Sequence, residues 1–430
     1  MKSLPLRLYA LVWWLALPLV LGRLWWLGRQ QSGYRQHIGE RLGFYQAPPA
    51  APLIWIHAVS VGETRAAQPL IEQLLQSYPQ HHILLSHMTP TGRATGRLLF
   101  ASEARLHQVY LPYDTCWMSR RFLRHFQPQL CVLMETEVWP SLIAACSDQQ
   151  VPVALVNARL SERSLRRAQR FESLLGQAAR QITLVAAQTQ QDAQRLRLMG
   201  ARRVEVSGSM KFDIAPPPAM LAAGAALRAQ IGPRPVLLCA STREEEEALL
   251  LAVFQKQRAA LPADLLLMIV PRHPQRFAQV AQLIEAQGML LTRRSALAQA
   301  QLPPATQVLL GDTMGELFTY YAACDLAFIG GSLLPLGGQN LIEAFACGKP
   351  VLIGPHTFNF AQISEDAVLA GAARRVDDAE DLFAQAARLL ASDLLRTQMG
   401  SAALAFAARE QGATQRTVAM LSPMIQVAER

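Results

Sequence analysis

The chain has 430 residues, too many for one hydrophobic core; at ~100–200 residues per domain it holds two or three. Hydrophobic residues make up 51% and charged residues 17%, with a mean hydropathy of +0.14, which excludes intrinsic disorder. Lys and Arg number 41 against 32 acidic residues, a net charge of +9, so an anionic partner is expected: nucleic acid, a membrane face or a phosphorylated substrate. The lysines are Lys2, Lys211, Lys256 and Lys349, and the remaining cations are arginine, suited to bidentate phosphate contacts. A plain compositional bias toward Ala, Leu and Arg accounts for the same excess. Cys116, Cys131, Cys146, Cys239, Cys324 and Cys347 form no CxxC pair and fit neither a zinc site nor a disulfide framework. Most of them sit beside apolar runs and read as buried thiols of a reducing compartment.

In chain order, the first feature is an uncharged apolar stretch from Leu8 to Gly22, flanked by Lys2, Arg7 and Arg23. It falls short of the ~20 residues that span a bilayer as a helix. A cleaved signal peptide would need a small-x-small site, whereas Arg23-Leu24-Trp25-Trp26-Leu27 follows. Tryptophans beside arginines read as an interfacial anchor of a protein whose bulk is cytosolic.

From residue 50 the pattern alternates. Buried strands are expected at Leu53–Val59, His82–Ser86, Gln129–Met134, Val151–Asn157 and Ile182–Ala187. Amphipathic helices are expected at Thr64–Leu75, Thr91–Phe100, Trp117–Phe126, Ser141–Cys146 and Glu162–Ala179. Pro216-Pro217-Pro218 and Gly232-Pro233 interrupt this series. A second one follows with strands at Val236–Ala240, Leu265–Val270, Met289–Thr292, Gln307–Leu310, Leu326–Ile329 and Pro350–Gly354. The pattern is α/β: two Rossmann-like domains facing a cleft, with ligands at the carboxyl ends of the strands. The expected division is an anchor over 1–30, a first domain over 31–212, a linker over 213–233 and a second domain over 234–430. Whether the last helix packs back on the first domain is left open.

Several strand ends carry chemistry-bearing residues. Ser60-Val61-Gly62-Glu63 follows the first strand and opens a helix. Glu63 is either a first-turn glutamate serving the helix dipole or a cleft carboxylate, its pKa lowered by the dipole and raised by desolvation. Glu135 and Glu137 follow another buried strand, and Lys211 is a lone lysine at the domain junction. In the second half, Pro271-Arg272-His273-Pro274 sets a guanidinium and an imidazole where a phosphate or base can lie, unless it is only a proline-bounded turn. Gly311-Asp312-Thr313-Met314-Gly315-Glu316 leads into a helix. Gly337-Gly338-Gln339-Asn340 opens another at Leu341-Ile342-Glu343, with Asn340 as N-cap and Glu343 able to hold a ribose. Neither GxGxxG nor GxxxxGK[ST] is present, and no Asp-x-Asp occurs, which favours a nucleotide leaving group that needs no metal.

Taken together, these motifs resemble the 3-deoxy-D-manno-octulosonic acid (Kdo) transferases of lipopolysaccharide synthesis. The resemblance covers nearly the whole chain. In the first half it rests on Gly39-Glu40-Arg41-Leu42-Gly43, Val59-Ser60-Val61-Gly62-Glu63, Met88-Thr89-Pro90-Thr91-Gly92 and Leu111-Pro112-Tyr113-Asp114. Met134-Glu135-Thr136-Glu137, Asn157-Ala158-Arg159-Leu160-Ser161 and Gly208-Ser209-Met210-Lys211-Phe212-Asp213 extend it. The second half adds Val270-Pro271-Arg272-His273-Pro274, the Gly311–Glu316 and Gly337–Asn340 loops, and Gly354-Pro355-His356-Thr357-Phe358-Asn359-Phe360. The chain departs at Gln339-Asn340-Leu341, where His-Asn-Pro is common in the family.

The resemblance implies a GT-B glycosyltransferase with an N-terminal membrane anchor helix, moving Kdo from CMP-Kdo to a tetraacylated lipid A precursor. It implies an inner-membrane enzyme whose catalytic domains are cytoplasmic, without cofactor, metal or nucleic-acid partner. By the same resemblance Glu63 is the proton acceptor, and Glu135 and Lys211 stabilise the transition state. CMP contacts fall on Pro271, Arg272, Met314, Gly315, Glu316, Asn340, Leu341, Ile342 and Glu343, and His273 joins them from its place at the strand end. Arg159, Arg163, Arg166 and Arg167 meet acceptor phosphates or form a solvated face. Two rivals share parts of this pattern: a nucleotide-sugar epimerase with the same twin domains, and a membrane-tethered nucleic-acid binder suggested by the sequence pI of 9.6.

Overall fold

The computed structural model describes residues 4–29, 31–297 and 301–427. Lys2, one of the charges flanking the apolar stretch, lies outside them. The chain forms two compact units, Met1–Ile214 with Gln411–Arg430, and Ala215–Glu410.

The first unit contains strands β1 (Leu53–His57), β2 (His82–His87), β3 (Leu106–Tyr110), β4 (Leu130–Met134), β5 (Val153–Ala158), β6 (Leu184–Ala187) and β7 (Val204–Val206). They form one parallel sheet in the order β3-β2-β1-β4-β5-β6-β7. Every residue of β1 and β4 is buried, because helices cover both faces of a parallel sheet. Ile54 and Ile56 face Ala67, Leu70 and Ile71 of the helix Val61–Ser77, while Leu53 and Trp55 share a second core with Phe122 and Leu142. β3 is absent from the sequence expectation because it is an edge strand whose Leu106-His107-Gln108-Val109 is only half-buried and lacks a continuous apolar run. The single helix expected over Glu162–Ala179 is two, Glu162–Gln169 and Glu172–Gln181, separated where Phe171 leaves helical dihedrals (φ −118°, ψ 32°).

The second unit contains β8 (Val236–Thr242), β9 (Leu266–Pro271), β10 (Leu291–Arg293), β11 (Val308–Leu310), β12 (Leu326–Ile329), β13 (Val351–Ile353) and β14 (Ala373–Arg375). Its parallel order is β10-β11-β9-β8-β12-β13-β14. The strand order thus reverses between β1 and β4 in one sheet and between β8 and β12 in the other, the places where such sheets bind ligands.

One boundary differs from expectation, and the place of the last helix, left open by the sequence, is decided. Most of the segment read as a linker, 213–233, is a helix of 14 residues, Pro218–Ile231, belonging to the second unit. Pro218 does not break it, because at a helix start the missing N–H has no partner to lose. Gly224 lets this helix approach Leu317–Ala323 so closely that a Cβ there would lie 2.4 Å from that of Ala322. The C-terminal helix Ala413–Val427 belongs to the first unit, burying Leu421 and Ile425 in the core that holds Leu70 and Leu74. Asp213 anchors its start by accepting the N–H groups of Gly412 and Thr414, each at 2.6 Å.

The apolar N-terminal stretch is also longer than its uncharged core. The helix runs Leu4–Leu27, 24 residues, taking in Arg7 and Arg23. At 1.5 Å per residue that is about 36 Å, enough by length and composition to cross a membrane. One side docks on the first unit: Trp13 stacks on Tyr113 at 5.7 Å and Tyr9 donates to Asp114 at 2.9 Å. Leu8, Leu11, Val12, Leu15 and Leu19 remain exposed.

Candidate active site

β1 and β4 pair in register, Ile56 opposite Val132 and His57 opposite Leu133, so the segments that follow them emerge side by side. After β1 the chain turns into the helix Val61–Ser77, whose N-cap is Ser60. The Ser60 hydroxyl donates to Glu63 Oε1 at 3.1 Å, and the Val59 N–H donates to Oε2 at 2.7 Å. This local closure follows from a serine three residues before a glutamate. It holds the carboxylate in place without neutralising it. Burial pushes the Glu63 carboxyl up from 4.5 to about 7; the Val59 N–H opposes the rise, and the charges of Glu137 and Glu135 add to it. At neutral pH this group divides between acid and base, the property a general base needs.

Glu135, directly after β4, is buried and takes the left-handed conformation at φ 55°. Its N–H donates to the Val156 carbonyl, which fixes this turn against β5. Lys211 Nζ lies 3.0 Å from Oε1 and Arg159 Nε 3.3 Å from Oε2. Burial raises the Glu135 pKa, but these two cations outweigh it and hold the carboxyl below its ordinary value. Glu137 differs: burial and the charge of Glu135 raise it, against the Trp139 indole N–H that donates at 2.8 Å. One edge of the sheet therefore carries a carboxylate kept ionised and two held toward protonation, the separation that divides acid–base roles. Arg159 is engaged with Glu135, while of the helix Glu162–Gln169 only Leu165 is buried, which leaves Arg163, Arg166 and Arg167 exposed. The nearby imidazoles His57 and His87 are depressed, chiefly by burial, to about 3 and about 4. Both are neutral and structural, bonded to Ser86 and to the Ala58 carbonyl.

In the second unit the remaining sequence-predicted residues lie at the carboxyl ends of β9, β11 and β12. Arg272 donates its N–H to the Thr242 carbonyl at 2.9 Å, aligning the Pro271-Arg272-His273 turn with the end of β8. His273 lies below its ordinary pKa because of burial and the charges of Arg272, Arg243 and Arg276. Glu316 binds Arg294 at 3.1 Å and accepts from Thr313, while Met314 is exposed and Gly315 is left-handed at φ 82°. Asn340 Nδ2 donates to Glu343 Oε1 at 3.1 Å, and its Oδ1 accepts from the Ile342 N–H at 3.2 Å. The N-cap is Leu341 rather than Asn340, since the side-chain bond reaches the first turn from one residue further out. The helices after these loops, Leu317–Ala323 and Ile342–Ala346, have only seven and five residues, so their dipoles are small and the loop side chains carry more of any anion binding than expected. Among the described residues no group of three or more His, Cys, Asp or Glu side chains is placed to hold a metal.

The structure thus gathers Glu63, Glu135 and Lys211 at the β1/β4 edge. It sets Arg272, His273, Glu316 and Asn340–Glu343 along the carboxyl edge of the other sheet. Sequence reading missed two groups at the end of β8. Glu246 is fully buried and accepts the N–H groups of Gly331 at 2.7 Å and Leu333 and Arg243, each at 3.2 Å, so it shapes the Gly330–Leu333 loop. Arg243 stands beside that loop. The run Glu244–Glu247 after an apolar strand was the available signal, since two of its members are buried charges.

Comparison with known proteins bears on this arrangement. Residues 36–214 match the family described as 3-deoxy-D-manno-octulosonic-acid transferase (kdotransferase), and residues 248–406 match glycosyl transferases group 1. A 3-deoxy-D-manno-octulosonic acid transferase of Bordetella pertussis is 49% identical over 379 residues, covering 86% of this chain and 87% of that protein. The Haemophilus influenzae protein of the same name is 37% identical over 417 residues, covering 95% and 96%. Among solved structures, the UDP-GlcNAc 2-epimerase from Neisseria meningitidis superposes with a TM-score of 0.60 at 15% identity, covering 86% of this chain and 100% of that one. That likeness is one of fold alone: two Rossmann-like domains of the GT-B kind. Identity of 49% and 37% to the transferases over most of both chains is of another order, and the chain belongs to the 3-deoxy-D-manno-octulosonic acid transferase family.

Proposed function

We propose that this chain transfers Kdo from CMP-Kdo to a tetraacylated lipid A precursor in lipopolysaccharide biosynthesis, by a single inverting displacement with Glu63 as general base. The observation that carries this reading is the Glu63 carboxyl, held by Val59 and Ser60 at a sheet's switch point and raised to about 7. A primary hydroxyl of the acceptor gives its proton to Glu63 as its oxygen bonds to the anomeric carbon of Kdo. The bond from that carbon to the phosphate oxygen breaks on the opposite face, and CMP leaves with the electron pair. General-base assistance of this kind is worth ~10²–10⁴-fold. Glu135 and Lys211, paired at 3.0 Å, act together on the charge that develops in the transition state. Pro271, Arg272, His273, Met314, Gly315, Glu316, Asn340, Leu341, Ile342 and Glu343 hold the CMP moiety. The helix Leu4–Leu27 anchors the chain in the inner membrane with its catalytic domains on the cytoplasmic side, where a lipid acceptor is within reach. Incubating the purified protein with CMP-Kdo and the lipid A precursor, with mass spectrometry of the product, tests the reading and counts the Kdo residues added. A product lacking Kdo, or transfer at the wild-type rate by Glu63→Gln, would overturn it.

A further inference from the structure

At the end of β8 the chain runs Ser241-Thr242-Arg243-Glu244-Glu245, and both Ser241 (φ 57°) and Glu245 (φ 69°) take the left-handed conformation. Side chains with a Cβ adopt it at a cost, so neighbouring contacts must hold the turn in place. Glu246 supplies them, accepting from the Arg243, Gly331 and Leu333 N–H groups. Glu247 adds the Thr242 hydroxyl at 3.1 Å and Arg276 at 3.0 Å. The backbone of Arg243 is therefore fixed while its side chain has no part in the fixing. Its Cγ lies 3.4 Å and Gln339 Nε2 3.3 Å from where a Cβ on Gly331 would stand, so the glycine lets both side chains pack closely against this loop. The guanidinium pairs at 3.1 Å with the adjacent Glu244, an exposed carboxylate that holds it weakly.

The cations of this edge are unequal. Arg276 is committed to buried Glu247. His273 is held below its ordinary pKa and is neutral at physiological pH. Among the residues assigned to the donor from the sequence, Arg272 is then the one permanent cation. A CMP-activated sugar acid presents two anionic groups, a phosphodiester and a carboxylate. We propose that Arg243 is a second donor-binding cation, whose guanidinium exchanges Glu244 for an anionic group of the sugar nucleotide, with Glu246 as its positioning residue. This rests on the reading that the second unit binds CMP-Kdo.

The test uses the full-length protein, Arg243→Ala, Arg243→Lys and, as a control on an exposed helix position, Arg388→Ala. Calorimetry with cytidine and with CMP is combined with KM and kcat for CMP-Kdo, and melting temperature reports folding. Arg243→Ala raises KM for CMP-Kdo about 10- to 100-fold, the worth of a charge-assisted hydrogen bond, and leaves cytidine affinity and melting temperature unchanged. Arg243→Lys recovers part of the loss, because it keeps the charge without the fork. A parallel rise in the CMP Kd identifies the phosphate as the bound group; an unchanged CMP Kd identifies the sugar carboxylate. Wild-type KM and CMP affinity in Arg243→Ala overturn the proposal. So does an equal loss of cytidine binding, which marks a structural defect. Failure of the wild-type protein itself to bind CMP or transfer Kdo refutes instead the reading on which the proposal stands.

Discussion

Glu63→Gln separates function from stability. The substitution keeps the shape and the Val59 N–H bond but removes the charge. In the folded protein the carboxyl titrates near 7 instead of 4.5, chiefly because burial disfavours the ionised form. Between those values the native state keeps a proton that the unfolded chain has lost, so wild-type stability falls as pH rises and levels off above 7. The ionised group costs the fold up to on the order of 3 kcal/mol, an upper bound because Glu63 retains some solvent contact. Glu63→Gln should therefore lower kcat by ~10²–10⁴-fold while unfolding at higher denaturant concentration than wild type above pH 7. The two should converge below pH 4.5. Urea unfolding across this range, alongside single-turnover transfer, measures both. A stability difference that does not change with pH would refute the burial argument, and undiminished transfer would refute the role as base.

The wild-type kcat/KM should rise with pH through an inflection near 7 as Glu63 loses its proton; a profile flat from 5.5 to 8.5, about 1.5 units either side, would count against it. Lys211→Met strands buried Glu135 with Arg159 alone, which should cost on the order of 3 kcal/mol in stability, and Glu135→Gln in the same chain should restore part of it. Additive losses in that double variant would show the two side chains to be uncoupled. Glu246→Ala leaves three N–H groups without their acceptor, so stability should fall by on the order of 3 kcal/mol and CMP affinity with it; an unaltered CMP titration would remove Glu246 from the donor site. Deleting residues 1–29 should abolish cosedimentation with phosphatidylglycerol vesicles, and wild-type sedimentation by the truncated chain would show that the apolar helix is not the anchor.

Much of this was legible in the residue order. Continuous apolar runs such as Leu130–Met134 mark strands buried on both faces, and Ser60 followed by Glu63 marks a helix start. Those signals are local, set by neighbours a few positions away, and they placed the α/β architecture and the carboxylates at strand ends. What lay beyond them depends on residues distant in the chain. The edge strand β3 has no apolar run, and the helix Pro218–Ile231 belongs to the second unit because Gly224 fits against Ala322. Nothing in the run Glu244–Glu247 says that Glu246 will meet amides at Gly331 and Leu333. The opposite states of Glu63 and Glu135 are likewise tertiary. Both are glutamates after a buried strand, yet burial lifts one toward neutrality while Lys211 and Arg159, brought in from elsewhere in the unit, keep the other ionised. By itself the sequence determined which groups stand at the sheet edges; the folded structure decided their charge, because desolvation and ion pairing act through space.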